Sequence, residues 1–180
     1  IVDLYRLSFN RIEKTIAEAE FGAYLHDSDD LHKDLAICQL KVFPAGGAQI
    51  VAESSGFSRT VFLSGGIGQF LRFLYFLLFV IRGNAPFYVT HTHNSEIKEF
   101  TPEGRDGCYV CIAEMLERNP KIKGWFNGAW FNDPALEKIS PRLAYLRKRP
   151  QENGAWVFRR DVDIDGGALT KSATRRKLYE

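Results

Sequence analysis

The stretch Val61-Phe62-Leu63-Ser64-Gly65-Gly66-Ile67-Gly68-Gln69-Phe70-Leu71 limits what this chain can fold into more than any other. An apolar run meets three glycines within four positions and then continues as a second, longer apolar run. Glycines let the backbone turn tightly and let a ligand approach the main chain. A helix that follows them offers unpaired N–H groups and its positive dipole end to an anion. The expectation is a strand over residues 59–63, a turn, and a helix, with Ser64, Gly65, Gly66, Ile67, Gly68 and Gln69 as a candidate phosphate cradle. The alternative is a turn whose glycines serve only strand-to-helix packing. The pattern indicates a ligand class and not a reaction.

Composition sets the outer limits. With 180 residues, 45% hydrophobic and 26% charged, the chain is read as one ordered domain spanning 1–180 with a substantial core. A net charge of +2 argues against nucleic acid as a partner, and the positive runs at 138–149 and 175–177 read as solvated helix faces. Cys38, Cys108 and Cys111 form an odd set without scaffold spacing, which indicates reduced thiols and a cytoplasmic location. The first residues mix Asp3, Arg6 and Arg11 with apolar positions, unlike a secretory leader. The apolar run at 70–81 is interrupted by Arg72 and too short to span a bilayer, so it reads as a buried helix. The chain opens on Ile1 and closes inside a basic, helical-looking segment, and is therefore read as a fragment of a longer protein.

Periodicity gives an alternating order of elements. Residues 3–24 carry Ile12, Ile16 and Ala19 at helical spacing, and the cluster His26, Asp27, Asp29, Asp30, His32 and Asp34 reads as a loop. Residues 36–43 and 48–53 read as strands joined by a Pro44-Ala45-Gly46-Gly47 turn, and 59–63 as the third strand of an antiparallel meander. The long helix stops near Gly83-Asn84, and 86–92 returns as a strand. Thr101-Pro102-Glu103 is a helix start, and Asn119-Pro120 ends that helix. A strand over 122–131, a helix from Ser140-Pro141 to Arg149, a strand over 155–160, an acidic loop at 161–167 and a basic terminal helix complete an α+β chain.

This order of elements, and the glycine turn in particular, resembles the acyl-CoA N-acyltransferase fold, the GNAT-like family. The family's turn reads Gln/Arg-x-x-Gly-x-Gly/Ala; Gly66 and Gly68 match its glycines, whereas Leu63 stands at the basic or amide position. That departure leaves only backbone donors and the helix end for a pyrophosphate. The segment 124–147, with Trp130-Phe131-Asn132-Asp133-Pro134 and Ser140-Pro141-Arg142-Leu143, also resembles uncharacterised bacterial proteins. The resemblance implies a transferase that takes an acyl group from acyl-CoA or an acyl-carrier thioester as co-substrate and passes it to a small-molecule amine. It requires no metal.

Candidate catalytic groups follow. Glu53 ends a strand where family members often carry a general base, although a solvated strand end is the plain reading. His91 and His93, two apart on a strand, project to one face and can act as base or bind metal, given a third ligand from Glu96, Glu99 or the 26–30 loop. Tyr109 is a candidate general acid through the resemblance. Cys108 and Cys111 have Cys-x-x-Cys spacing but sit inside a helix on its apolar face, so they read as core. The aromatics Trp125, Phe126, Trp130 and Phe131 read as core or as an acyl-pocket lining. Two further readings stay open. One is a metal-dependent enzyme centred on His91 and His93; the other is a non-catalytic ligand-binding or interaction domain.

Overall fold

The computed structural model describes residues 1–18, 29–84, 86–134 and 136–159. The protein is α+β, with a four-stranded mixed sheet and, among the described residues, seven α-helices. The chain forms two compact units, one from Ile1–Ser55 and Ala85–Asn127, the other from Gly56–Asn84 and Gly128–Glu180.

The first unit holds the sheet in the order β1 (Val42–Gly46), β2 (Gln49–Ser54), β3 (Phe87–Thr92), β4 (Trp125–Phe126). β1 pairs antiparallel with β2 and β2 with β3, while β4 joins β3 in parallel. The meander is present, but its third strand is β3 and not residues 59–63. The turn between β1 and β2 is Gly47-Ala48, one step later than the expected Pro44-to-Gly47 turn. Both residues have positive φ, 57° and 59°, the hand that matches the twist of a two-residue hairpin. Pro44 sits inside β1, which it tolerates because β1 is an edge strand.

Alternation along these strands sends one set of side chains to each face. Phe43, Ala45, Val51 and Tyr88 pack with Cys108, Cys111 and Ile112 of α5 (Pro102–Arg118). On the other face Ile50 packs with Ile12 of α1 (Val2–Glu18) and Ile37 of α2 (Asp29–Cys38). α5 starts as its sequence predicts, with Thr101 Oγ1 accepting from the Gly104 N–H at 3.1 Å and Pro102 at the first position, and it ends at Asn119. Its first turn is pressed against the hairpin, since a Cβ on Gly47 would fall within 3.0 Å of the Gly104 carbonyl.

Four expectations fail here. Asp29 to Asp34 is helix and not loop, because Asp29 and Asp30 sit in the first turn, where carboxylates favour the positive helix end, and Lys33 pairs back to Asp29. The strand expected over 36–43 is split, with 36–38 ending α2 and only 42–43 entering β1. Ile16, placed by periodicity on the buried face of α1, is exposed, and Ser8 and Ile12 are the residues that face inward. The strand expected over 122–131 shrinks to Trp125–Phe126. His26, Asp27 and the rest of 19–28 lie outside the described residues, as do 161–180 with the acidic loop and terminal helix.

In the second unit, residues 59–63 are a short helix, α3 (Arg59–Leu63), capped by Ser58, and not a strand. α4 (Gly66–Tyr75) continues through a π-helical turn at Phe76–Val80, in agreement with the long helix expected there. That helix is only partly buried. Phe73 and Phe76 face inward, whereas Leu71, Tyr75, Leu78 and Phe79 are exposed. Phe73 meets Phe57, Phe62 and Phe158 edge-on at centroid distances of 5.3, 4.4 and 4.8 Å. Residues 155–159, where a strand over 155–160 is expected, pair with no strand among the described residues. The Gln69 carboxamide takes the place of a ladder partner, its Oε1 accepting from the Arg159 N–H and its Nε2 donating to the Arg159 carbonyl, both at 2.7 Å. The unit also contains α6 (Leu136–Ile139), a 3₁₀ turn at Pro141–Leu143 and α7 (Tyr145–Glu152), which carries Pro150 instead of ending before it. No helix among the described residues is long and apolar enough to cross a membrane.

Candidate functional site

The strongest concentration of polar chemistry lies where β3 ends against α1 and α2. His93 follows the last residue of β3, and its N–H donates to the Ala48 carbonyl at 2.8 Å, which extends the ladder by one step and fixes the ring's origin. The ring has no exposed surface. Its Nε2 lies 2.9 Å from Asp34 Oδ1, and its Nδ1 lies 2.8 Å from Ser95 Oγ. Asp34, also buried, is gripped by Arg11 through Nη1 at 3.0 Å and Nη2 at 2.5 Å, and Arg11 Nε donates to Glu96 at 2.9 Å. Burial pulls the Arg11 pKa down, but the bonds and charges of Asp34 and Glu96 outweigh it, so the pKa ends above its ordinary value.

These contacts decide the direction of each hydrogen bond. A carboxylate clasped by a guanidinium accepts only, so His93 Nε2 carries the proton and donates to Asp34. In the tautomer protonated at Nε2 alone, Nδ1 is an acceptor and the Ser95 hydroxyl donates to it. The result is an exposed hydroxyl leaning on a buried imidazole whose far side is held by a buried carboxylate. Asp30 Oδ1 lies 3.9 Å from His93 Nδ1, and Lys33 pairs with Asp29 and Asp30 beside it.

His91 does not share this setting. It lies on β3 opposite Ile50, on the surface, and its pKa is lowered by partial desolvation and by Lys33, with Asp29 acting against them. The two histidines therefore do not form one centre. Among the described residues no group of three His, Cys, Asp or Glu side chains is arranged to hold a metal ion. Glu53 is exposed at the end of β2 and borders an open cleft of about 550 Å³ walled by Tyr5, Phe43, Val51, Tyr88 and Met115. Tyr109, on α5, accepts from Arg105 Nε at 3.2 Å and meets Trp125 at a tilt of 60° and a centroid distance of 5.4 Å. Trp125 and Phe126 belong to the first unit and Phe131, which is buried, to the second.

The glycine turn belongs to the second unit and connects two helices. Gly65 caps α4 with φ of 75°, Gly66 follows at 73°, and residues 65–68 are exposed. The positive φ values explain the first two glycines without a ligand. The Ser64 N–H and hydroxyl both donate to the Thr60 carbonyl, and the Gln69 side chain is committed to Val61 and Arg159. Compared with family models, with curated proteins and with solved structures, the chain finds no match in any of the three.

Sequence reasoning gives no site role to Ser95, Arg11 or Asp34, the last of which it reads only as part of an acidic loop. It does name His93, with Glu96, Glu99 or the 26–30 loop as possible partners. What was missing was the helical reading of 29–38. On the helix Asp30 and Asp34 share a face one turn apart, and from there both reach the residues after β3.

Proposed function

We propose that the protein is an acyltransferase that works through Ser95, with His93 as base and Asp34 as the group that orients the ring. The observation that carries this reading is the pair of bonds on His93, Ser95 Oγ to Nδ1 and Nε2 to Asp34 Oδ1. A serine hydroxyl is a weak nucleophile until a neighbouring base takes its proton, and a third group must hold that base in the right tautomer. The donor would be a thioester of CoA or of an acyl carrier, and the acceptor an amine. Attack forms a bond between Ser95 Oγ and the acyl carbon while the carbon–sulfur bond breaks, and the hydroxyl proton passes through His93 Nδ1 to the departing sulfur. The amine then attacks the ester, the bond to Ser95 Oγ breaks, and the proton lost by the amine returns to the serine. This route places the base at His93, not at Glu53 or His91.

The test is acyl-enzyme trapping in a Cys38→Ser background, which removes the exposed thiol as a competing acceptor. Incubation with acetyl-CoA or p-nitrophenyl acetate is expected to give a covalent adduct mapped by mass spectrometry to Ser95. Ser95→Ala should abolish it, and His93→Gln should slow its formation by about 10²–10⁴-fold. Equal acylation of the Ser95→Ala protein, or no adduct in the parent, would reduce the network to a structural tie between α1, α2 and the end of β3.

A further inference from the structure

Arg105 stands in the second turn of α5 and is 2% exposed. Its Nε donates to Tyr109 Oη, and its guanidinium carbon lies 5.1 Å from the centroid of the Tyr109 ring and 5.6 Å from that of Trp125. Its Nη1 is buried and has no hydrogen-bond partner. A buried guanidinium in a folded protein ordinarily faces a carboxylate, because stacking on aromatic rings offsets only part of the cost of removing the charge from water. Among the described residues none pairs with Arg105. Glu103 and Asp106, its neighbours on α5, are exposed. Cys108, one turn further on, has its thiol pushed up to about 11 by burial and stays neutral. Thr90, beside the rings, is occupied in accepting from Trp125 Nε1 at 3.3 Å.

We propose that Arg105 is the recognition group of a binding site for a small-molecule carboxylate, with Tyr109 and Trp125 as its walls. A planar carboxylate matches the flat fork of a guanidinium, and the two rings against Arg105 shield such a pair from water. A tetrahedral phosphate brings more charge and more acceptor oxygens than the donors of one guanidinium can meet. Tyr109 and Trp125 are both half-buried, so a ligand reaches Nη1 by displacing one of them. The site is independent of Ser95 and stands or falls without the acyl-transfer reading.

The experiment titrates the whole chain with sodium acetate and sodium benzoate, against sodium chloride at matched ionic strength, and reads thermal melting and intrinsic tryptophan fluorescence. Saturable stabilisation is expected, with a fluorescence change that disappears in Trp125→Phe. Arg105→Gln should weaken binding at least about tenfold, since it removes the charge-assisted fork. If Arg105→Gln does not fold, Tyr109→Phe keeps the ring and frees Nε for the anion, and should bind at least as tightly as the parent. The proposal is overturned by the absence of a saturable response in the parent, by a response unchanged in Arg105→Gln, by loss of binding in Tyr109→Phe, or by saturation with inorganic phosphate where the carboxylates give none.

Discussion

Replacing Asp34 by Asn tests the polar centre without changing its volume. Asp34 is 2% exposed and accepts two bonds from Arg11 and one from His93. Asn places a donor where one of these three donors now points and removes the charge opposite Arg11. Removing one partner of a buried ion pair costs about 3–5 kcal/mol. Arg11 keeps Glu96 and is itself 19% exposed, which relieves part of that cost, so the expected loss is about 2–3 kcal/mol. Ser95→Ala is the control. It removes a single bond from an exposed hydroxyl, where water can take the same place, and should cost less than about 1 kcal/mol. Urea unfolding followed by circular dichroism and by fluorescence gives both values, provided the slopes agree with the parent. The reasoning is refuted if Asp34→Asn falls within about 0.5 kcal/mol of the parent, the range of an ordinary surface substitution. It is refuted equally if Ser95→Ala proves the costlier change.

Three further outcomes are expected. Gly104→Ala would set a Cβ within 3.0 Å of the Glu99 carbonyl oxygen, a backbone atom that yields little, and should cost about 1–3 kcal/mol in thermal or urea unfolding; an unchanged melting temperature would contradict the close approach at this position. The folded-state pKa of His91 lies below its ordinary 6.5, so the unfolded chain binds the extra proton first. The stability due to this residue should then be complete above pH 6.5 and decline as pH falls below it, and His91→Gln should remove that part of the pH dependence; an identical pH–stability curve in the variant would contradict it. A thiol reagent at pH 8 should label exposed Cys38 rapidly in the native protein and reach Cys108 and Cys111 only on unfolding, because burial raises both of their pKa values; rapid native labelling of a second cysteine would be the contrary result.

Features written in neighbouring residues were legible from the sequence. Thr101-Pro102 caps α5 because a cap is a matter of three or four adjacent positions. β3 follows from a local run of β-branched and aromatic residues, and the placing of Cys108 and Cys111 in the core from helical spacing within one element. The five residues at 59–63 were misread because so short an apolar run has no periodicity that separates helix from strand. Ser58 as a cap and the packing of Phe62 on Phe73 settle it as helix. The polar centre lay beyond local reading altogether. Asp34 and His93 stand 59 positions apart, and Arg11 and Glu96 stand 85 apart. Their partnership exists only because the sheet brings the end of β3 against α1 and α2 and removes water from the groups between them. The same holds for Arg105. Its residue type announces a surface charge, and only the packing of α5 against Trp125 turns it into a buried guanidinium with a donor left over.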